Sequence, residues 1–335
     1  MIGMNARISV SELFSREEID ELTKTSDLQG TWAVGSTWAV IVAIFAGVAY
    51  FWEYAPVWAK IIMIAVALAI IAGRQLCLAI LMHDASHNSL FKSKWLNNVA
   101  TDWLCARPIW NDLHKYRAHH IRHHAKTSLA EDPDLSLVAD FPVSKKSLWR
   151  KIGRDLTGLT GIKFLFGRLL MDMEMLQWTV SNDQKPIPRG DRKIQDYAQA
   201  LLKNSSGAII SNAVIFTALW KAGHPKLYLL WPLAYIMPFP LFIRIRSMAE
   251  HAGMQTSHNA LMNTRTTKAG FIARAFVAPI RVNFHQEHHL MASVPFSKLP
   301  RMHQMLLERG HIEQPPTYLQ VIDLLSSATE TKKAQ

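Results

Sequence analysis

The sequence predicts an all-α integral membrane protein: four transmembrane helices in two hairpins, with a helical cap on the cytosolic side. Three observations carry this prediction. Apolar residues make up 49% of the 335 and gather into long blocks. The blocks come in pairs joined by short links, as antiparallel spans require. Finally, 11 Trp accompany a net charge of +11, which suits interfacial aromatic belts over a basic inner face. So much apolar side chain excludes a disordered chain. With two cysteines, Cys77 and Cys105, a disulfide scaffold is excluded too; both are read as buried packing thiols in a reducing compartment.

The elements follow in chain order within a single domain, 1–335. Residues 1–31 form a cytosolic segment. Residues 9–27 are polar and charged, with no signal-peptide core. Ser15-Arg16-Glu17-Glu18 fits a capping box, so a short helix starts there. The first hairpin is 32–82. Its first member, 32–51, is uncharged and long enough to cross about 30 Å of hydrocarbon. Its second, 61–82, is interrupted only by Arg74, expected to snorkel or to pair with a carboxylate. Residues 83–204 belong to the cap. The second hairpin, 205–243, pairs 205–220 with 227–243 across KAGHPK. Its Pro232, Pro238 and Pro240 would break a soluble helix, but membrane neighbours can satisfy the freed backbone groups. Residues 244–335 return to the cap and end in a tail.

Charge sets the expected sidedness. Residues 92–204 hold 19 Lys+Arg against 12 Asp+Glu, and 244–335 hold 11 against 6. Lys92, Lys94, Lys203, Arg244 and Arg246 flank the span ends, so the cap and both termini are expected in the cytoplasm. A bacterial inner membrane and an endoplasmic reticulum membrane fit equally. Lys332-Lys333 near the end resembles a retrieval signal, but is read as part of a solvated tail. No nucleic-acid partner is expected, since topology accounts for the basic excess.

Histidines cluster at the span ends. His83 and His87 follow the second span at a spacing of four, which on a continuing helix shares one face. His120, His123 and His124 have i, i+3, i+4 spacing, and His285, His288 and His289 repeat it. His251 sits just beyond the fourth span. Isolated histidines are usually surface or hydrogen-bonded core residues. Two, three and three at helical-face spacing in separate segments point instead to metal. Eight or nine imidazoles exceed the needs of one ion and suggest two. Imidazole suits iron, zinc, copper and nickel alike, so spacing does not choose among them. Asp84 and Glu287, inside the clusters, read equally well as carboxylates that orient imidazoles or as ordinary helix-surface charge. The paired Glu-x-x-His signature of soluble di-iron bundles is absent from the sequence.

HDASH, HIRHH and HQEHH, flanked by paired spans, resemble the three histidine boxes of the membrane fatty acid desaturase family. Asp132-Pro133-Asp134 after the second box and EHHL…VP…LP after the third are also similar to that family. The resemblance covers residues 80–305. It implies four spans under a cytosolic cap that holds two non-haem irons, with O2 as co-substrate. It also implies His83, His87, His120, His123, His124, His285, His288 and His289 as ligands, with His251 as the extra ligand some members supply. Some members carry an Asn four residues before that extra histidine; here Ser247 stands there, so a water or nothing takes its place. A fused haem domain carries His-Pro-Gly-Gly, whereas this chain has only His224-Pro225-Lys226. Electrons are therefore expected from a separate donor such as ferredoxin with its reductase, and the substrate is expected to be a membrane lipid or other acyl chain.

The expected reaction is oxygen-dependent removal of two hydrogens from an acyl chain. The same boxes serve a hydroxylase or ketolase of an alkane, fatty acid or carotenoid. A non-catalytic zinc-binding or transport protein would need ionisable residues lining a path through the spans, and Arg74 is the only one there.

Overall fold

The structure, a computed structural model, describes residues 8–327; the Lys332-Lys333 tail lies outside them. The described residues are helical, with only isolated β-bridges. The helices that position the site are α1 (Arg16–Leu22), α2 (Asp27–Trp52), α3 (Val57–Ser86), α4 (Leu113–Lys126), α5 (Lys145–Leu156), α6 (Leu159–Asp172), α7 (Ile194–Lys221), α8 (Leu230–Ile236), α9 (Pro238–His251), α10 (His285–Leu290), α11 (Leu299–Glu308) and α12 (Tyr318–Leu325).

Ser15 caps α1 by accepting from the Glu18 amide, while the Glu18 carboxylate accepts from the Ser15 amide, which is the reciprocal capping box. Among the described residues three helical stretches are long and apolar enough to cross a membrane: Arg16–Trp52, Val57–Ser86 and Pro225–His251. Tyr50, Tyr54 and Trp58 stand exposed around the turn between the first two and Trp32 near the start of α2, the arrangement of an aromatic belt.

The expected second hairpin is more irregular than its apolar run suggested. The 205–220 segment is the upper part of α7, a 28-residue helix that begins at Ile194 with polar residues. Ser205, Ser206, Ser211 and Asn212 dilute its apolar stretch, so α7 is long enough for a span but is not among the three apolar ones. The return segment breaks between α8 and α9 at Met237, with φ −109° and ψ −80°. This break explains the prolines. Pro238 and Pro240 fall in the first turn of α9, where backbone N–H groups lack helical partners anyway.

Helix α3 is the axis of the fold, packing against α2, α4, α8 and α9. Its first half is exposed at Val57, Trp58, Ile61, Ile62 and Val66. From Ile71 to Ser86 it is enclosed almost completely. The helix thus passes from a lipid-compatible surface into the cap. Among the described residues Arg74 pairs with no carboxylate; its Nη2 donates to the Ala275 carbonyl at 2.7 Å. Gly73 makes this possible, because a Cβ there would lie 2.7 Å from the same carbonyl oxygen. Cys77 and Cys105 are free and buried.

Two smaller apolar clusters close the cap. Leu13, Phe14 and Leu22 pack with Met291, Leu299, Met302 and Leu306, joining the N-terminal segment to the third histidine cluster. Phe141, Leu148, Met248, Val321 and Leu325 join α5, α9 and α12.

Candidate metal centre

Each histidine is positioned by a recognisable local device. His83 lies in the last turn of α3, and His87 is the residue that ends that helix. As the C-cap, His87 still follows the helical path, and its ring stands 5.4 Å from that of His83 on the same side, as the spacing suggested. Arg117 from α4 holds this terminus, donating to the carbonyls of Ser86 (2.8 Å) and Ala85 (3.0 Å), the free acceptors a helix end exposes. Asp112 caps α4 by accepting from the amides of His114 and Lys115. His251 is the last residue of α9. Helix α10 is a single short helix carrying His285, His288 and His289.

These elements bring the nine imidazoles together in two groups. His83, His87, His120, His124 and His288 present ring nitrogens within 4.8 Å of one another. So do His123, His251 and His289, and His251 is shared with a further set of Glu250 and His285. The triads are therefore split rather than single-faced. From α4, His120 and His124 join the first group and His123 the second; from α10, His288 joins the first and His285 and His289 the second. Between the groups, His124 and His289 stack at 4.1 Å with an 11° interplanar angle.

The residues fit metal ions. Nε2 atoms face each other in the pairs His124–His120 (3.1 Å), His288–His124 (3.1 Å) and His285–His251 (2.8 Å). The Nε2 atoms of His83, His87 and His289 are buried with no hydrogen-bond partner. Burial of unsatisfied ring nitrogens is costly unless something accepts their lone pairs. Protonation is disfavoured here. Burial, aided by Arg117 and His123, pulls His87 down to about 4. Burial and neighbouring imidazoles pull His120, His285, His288 and His289 well below the ordinary histidine range. Neutral imidazole is the form that binds metal. His123 differs: burial disfavours its charge, but the Asp132 hydrogen bond and the field of Asp134 outweigh this and raise it.

Carboxylates hold several rings. Asp84 Oδ1 stands 2.9 Å from His83 Nδ1, and Asp132 Oδ1 2.8 Å from His123 Nδ1. Thr127 Oγ1 lies 3.2 Å from His289 Nδ1. Glu287 does something else: it accepts from His303 Nδ1 at 2.6 Å and from Thr266, tying α10 to α11 and to the strand-like 264–267 segment. His119 turns from both groups to Asp134, 2.7 Å away. Ser247 lines the cavity beside the centre, one turn before His251. Sequence reasoning missed Glu250, whose Oε1 is 3.7 Å from His285 Nδ1 and accepts from Arg246 at 2.8 Å. Its only sequence signal was adjacency to His251.

A cavity of about 330 Å³ reaches both groups and is lined by His120 of the first and by His123, His251 and His285 of the second. Leu76, Ile80, Ile109, Phe164, Phe239 and Ile243 supply an apolar remainder.

The sequence profile of the fatty acid desaturase family matches residues 56–319, spanning both histidine groups and the cavity. The chain belongs to the fatty acid desaturase family. Two relatives carry the desaturase name. Dihydrorhizobitoxine desaturase of Bradyrhizobium elkanii is 25% identical over 311 residues, covering 88% of this chain and 80% of that protein. Fatty acid desaturase 3 of Homo sapiens is 31% identical over 94 residues, covering 28% of this chain and 20% of that protein. For this desaturase family member, an oxidoreductase role and a histidine site compatible with metal follow together.

Proposed function

We propose that this protein is a membrane-bound, oxygen-dependent di-iron desaturase that removes two hydrogens from an acyl chain. The observation that supports this most is the convergence of nine imidazoles in two groups, enclosed where membrane helices meet cap helices and beside an apolar cavity. His83, His87, His120, His124 and His288 would hold one iron, and His123, His251, His285 and His289 the other, with Glu250 beside the second. Two bound irons, supplied with electrons and O2, provide the oxidant that an unactivated methylene requires and that side chains lack. The chain's own residues do the rest. Asp84 and Asp132 fix ring orientation. Leu76, Ile80 and Phe239 line the acyl path and exclude water. The enclosed half of α3 carries His83 to the boundary between lipid and cap, where an insoluble chain can enter.

In this reading α7 is the fourth span, giving two hairpins with the cap and both termini in the cytoplasm. Ile209, Ile210, Val214 and Phe216 on α7 are exposed, as a lipid-facing surface would be. On α6, Leu159, Ile162 and Phe166 form an exposed apolar face suited to the membrane interface. A separate protein such as ferredoxin supplies electrons, drawn by the basic cap.

Expression in a host with a compatible reductase, followed by mass spectrometry of lipids and free acids, tests the reaction. A product lighter by two hydrogens is expected. A product that instead gains one oxygen would reassign the protein as a hydroxylase. The purified active protein should hold close to two irons per chain, and active protein with zinc and no iron would overturn the di-iron reading.

A further inference from the structure

Arg168, on α6, lines the same cavity as the histidines. A guanidinium carries five N–H donors and keeps its charge. Among the described residues, Arg168 makes no hydrogen bond or ion pair, and its Nη1 is buried without a partner. Its one marked contact is the face of Trp178, with Cζ 5.0 Å from the ring centroid. Other half-buried arginines make ion pairs: Arg246 with Glu250, Arg244 with Asp155, Arg107 with Asp102 and Asp112. Asp172, one turn further along α6, and Asp112 extend their negative field to Arg168, yet neither forms an ion pair with it. Asp172 accepts from Trp110 Nε1 at 2.8 Å, and Asp112 pairs with Arg107.

A guanidinium whose donors are unmet on a cavity wall calls for an acceptor in that cavity. An anionic group that enters the cavity meets both the donors and the charge. Thr179, Ser181 and Gln184 line the cavity near Arg168 and can hydrogen-bond such a group. Trp178 lies between Arg168 and the ring of His119, 5.9 Å from the latter, so this polar end is one aromatic ring away from the second histidine box. We propose that Arg168 binds the carboxylate of the substrate inside the cavity, so that the protein acts on a free carboxylic acid rather than on a thioester or ester. The proposal rests on reading the cavity as the acyl site. A thioester or ester is uncharged at the acyl head and leaves the guanidinium unmatched. The planar fork of arginine also suits a carboxylate's two oxygens.

The test uses the full chain in detergent and reads binding, not turnover. Decanoate, methyl decanoate and decyl phosphate are titrated calorimetrically, with melting temperature followed in parallel. Decanoate should bind the unaltered protein and raise its Tm. Arg168→Met should weaken decanoate about tenfold to hundredfold, the loss of one charged hydrogen-bonded pair. It should leave the weaker methyl ester unchanged. Arg168→Lys, which keeps charge but loses the fork, should fall between. Equal binding of ester and acid, or decanoate affinity indifferent to Arg168→Met, overturns the proposal. So does tighter binding of decyl phosphate than of decanoate. If decanoate binds as expected but no double bond forms, the reaction reading fails while the Arg168 assignment stands.

Discussion

Asp132 accepts from three donors: His123 Nδ1 at 2.8 Å, the Ser128 amide at 2.9 Å and the Asp134 amide at 2.9 Å. It therefore fixes both a loop and the tautomer of one imidazole, leaving His123 Nε2 for the second group. Asp132→Asn should lower metal affinity at that group about 10- to 100-fold, with protein still inserted in the membrane. His288→Ala should abolish activity by opening the first group. Metal content per chain, measured after graded dialysis, checks both; an unchanged metal content in either variant would contradict the corresponding ligand set. A second expectation concerns acid. In the unfolded chain a histidine titrates near 6.5, whereas folded His87 is held down to about 4 by burial and by Arg117. Above pH 6.5 both states are neutral and nothing changes. As pH falls from 6.5 to 4, the unfolded state binds protons that the folded state refuses, so stability falls. For His87 alone the full loss is roughly 3 kcal/mol. Denaturant titrations of the metal-free protein across that window should show a declining midpoint, and a flat profile would refute it. At this scale eight of the clustered histidines were legible because their spacing is local, whereas His251 was named from its place beyond the fourth span and from the family resemblance. Asp132, Glu250 and Arg246 were not legible as supports, because their partners come from other helices. Glu287 read equally as a brace for an imidazole or as helix-surface charge; it is buried and accepts from His303 and Thr266.

Helix packing depends on glycines as much as on the apolar blocks. A Cβ on Gly161 of α6 would lie 2.1 Å from the Ile236 carbonyl oxygen and 2.3 Å from its Cα. Both are backbone atoms at the end of α8, so no rotamer can relieve the clash. Gly153 on α5 meets nothing within 4 Å. Gly161→Ala should therefore destabilise the protein by roughly 1–3 kcal/mol. Gly153→Ala should stabilise it by roughly 0.5–1 kcal/mol, through helix propensity alone. Thermal melts of the two variants, read by the same probe, check the opposite signs. Equal shifts would mean that the α6–α8 contact is looser than described. The consequence reaches the site, because α6 carries the cavity wall and α8 runs directly into α9 with His251. The sequence made α3 legible as a span, since its apolar run is long and interrupted only by Arg74. It understated α7, whose polar first turns continue a helix without an apolar pattern to announce it. The break at Met237 was hidden too, because membrane-tolerated prolines do not say which of them ends a helix.

Across the whole molecule, the two imidazole groups draw on α3, α4, α9 and α10, elements widely separated in sequence. Outside those groups, α3 packs directly against α4 and α9, and α10 is the short member of the set. Helix α10 is six residues long and is anchored mainly through Glu287 to His303 and Thr266. Helix α3, by contrast, is locked by the enclosed apolar core from Ile71 onward. A metal that binds only the folded arrangement adds stability by mass action, increasing with the excess of metal over its dissociation constant. Removing it returns buried ring nitrogens to an unsatisfied state. Chelation should thus act unevenly: the overall melting temperature should fall, and amide exchange should rise first in α10 and the end of α4. The core half of α3 should stay protected, because apolar burial rather than metal holds it. Hydrogen exchange read segment by segment, before and after chelation, distinguishes this from uniform loosening. Uniform loosening, or no change at all, would mean that the histidines pack without an ion between them, and the centre would then be a structural cluster rather than a metal site.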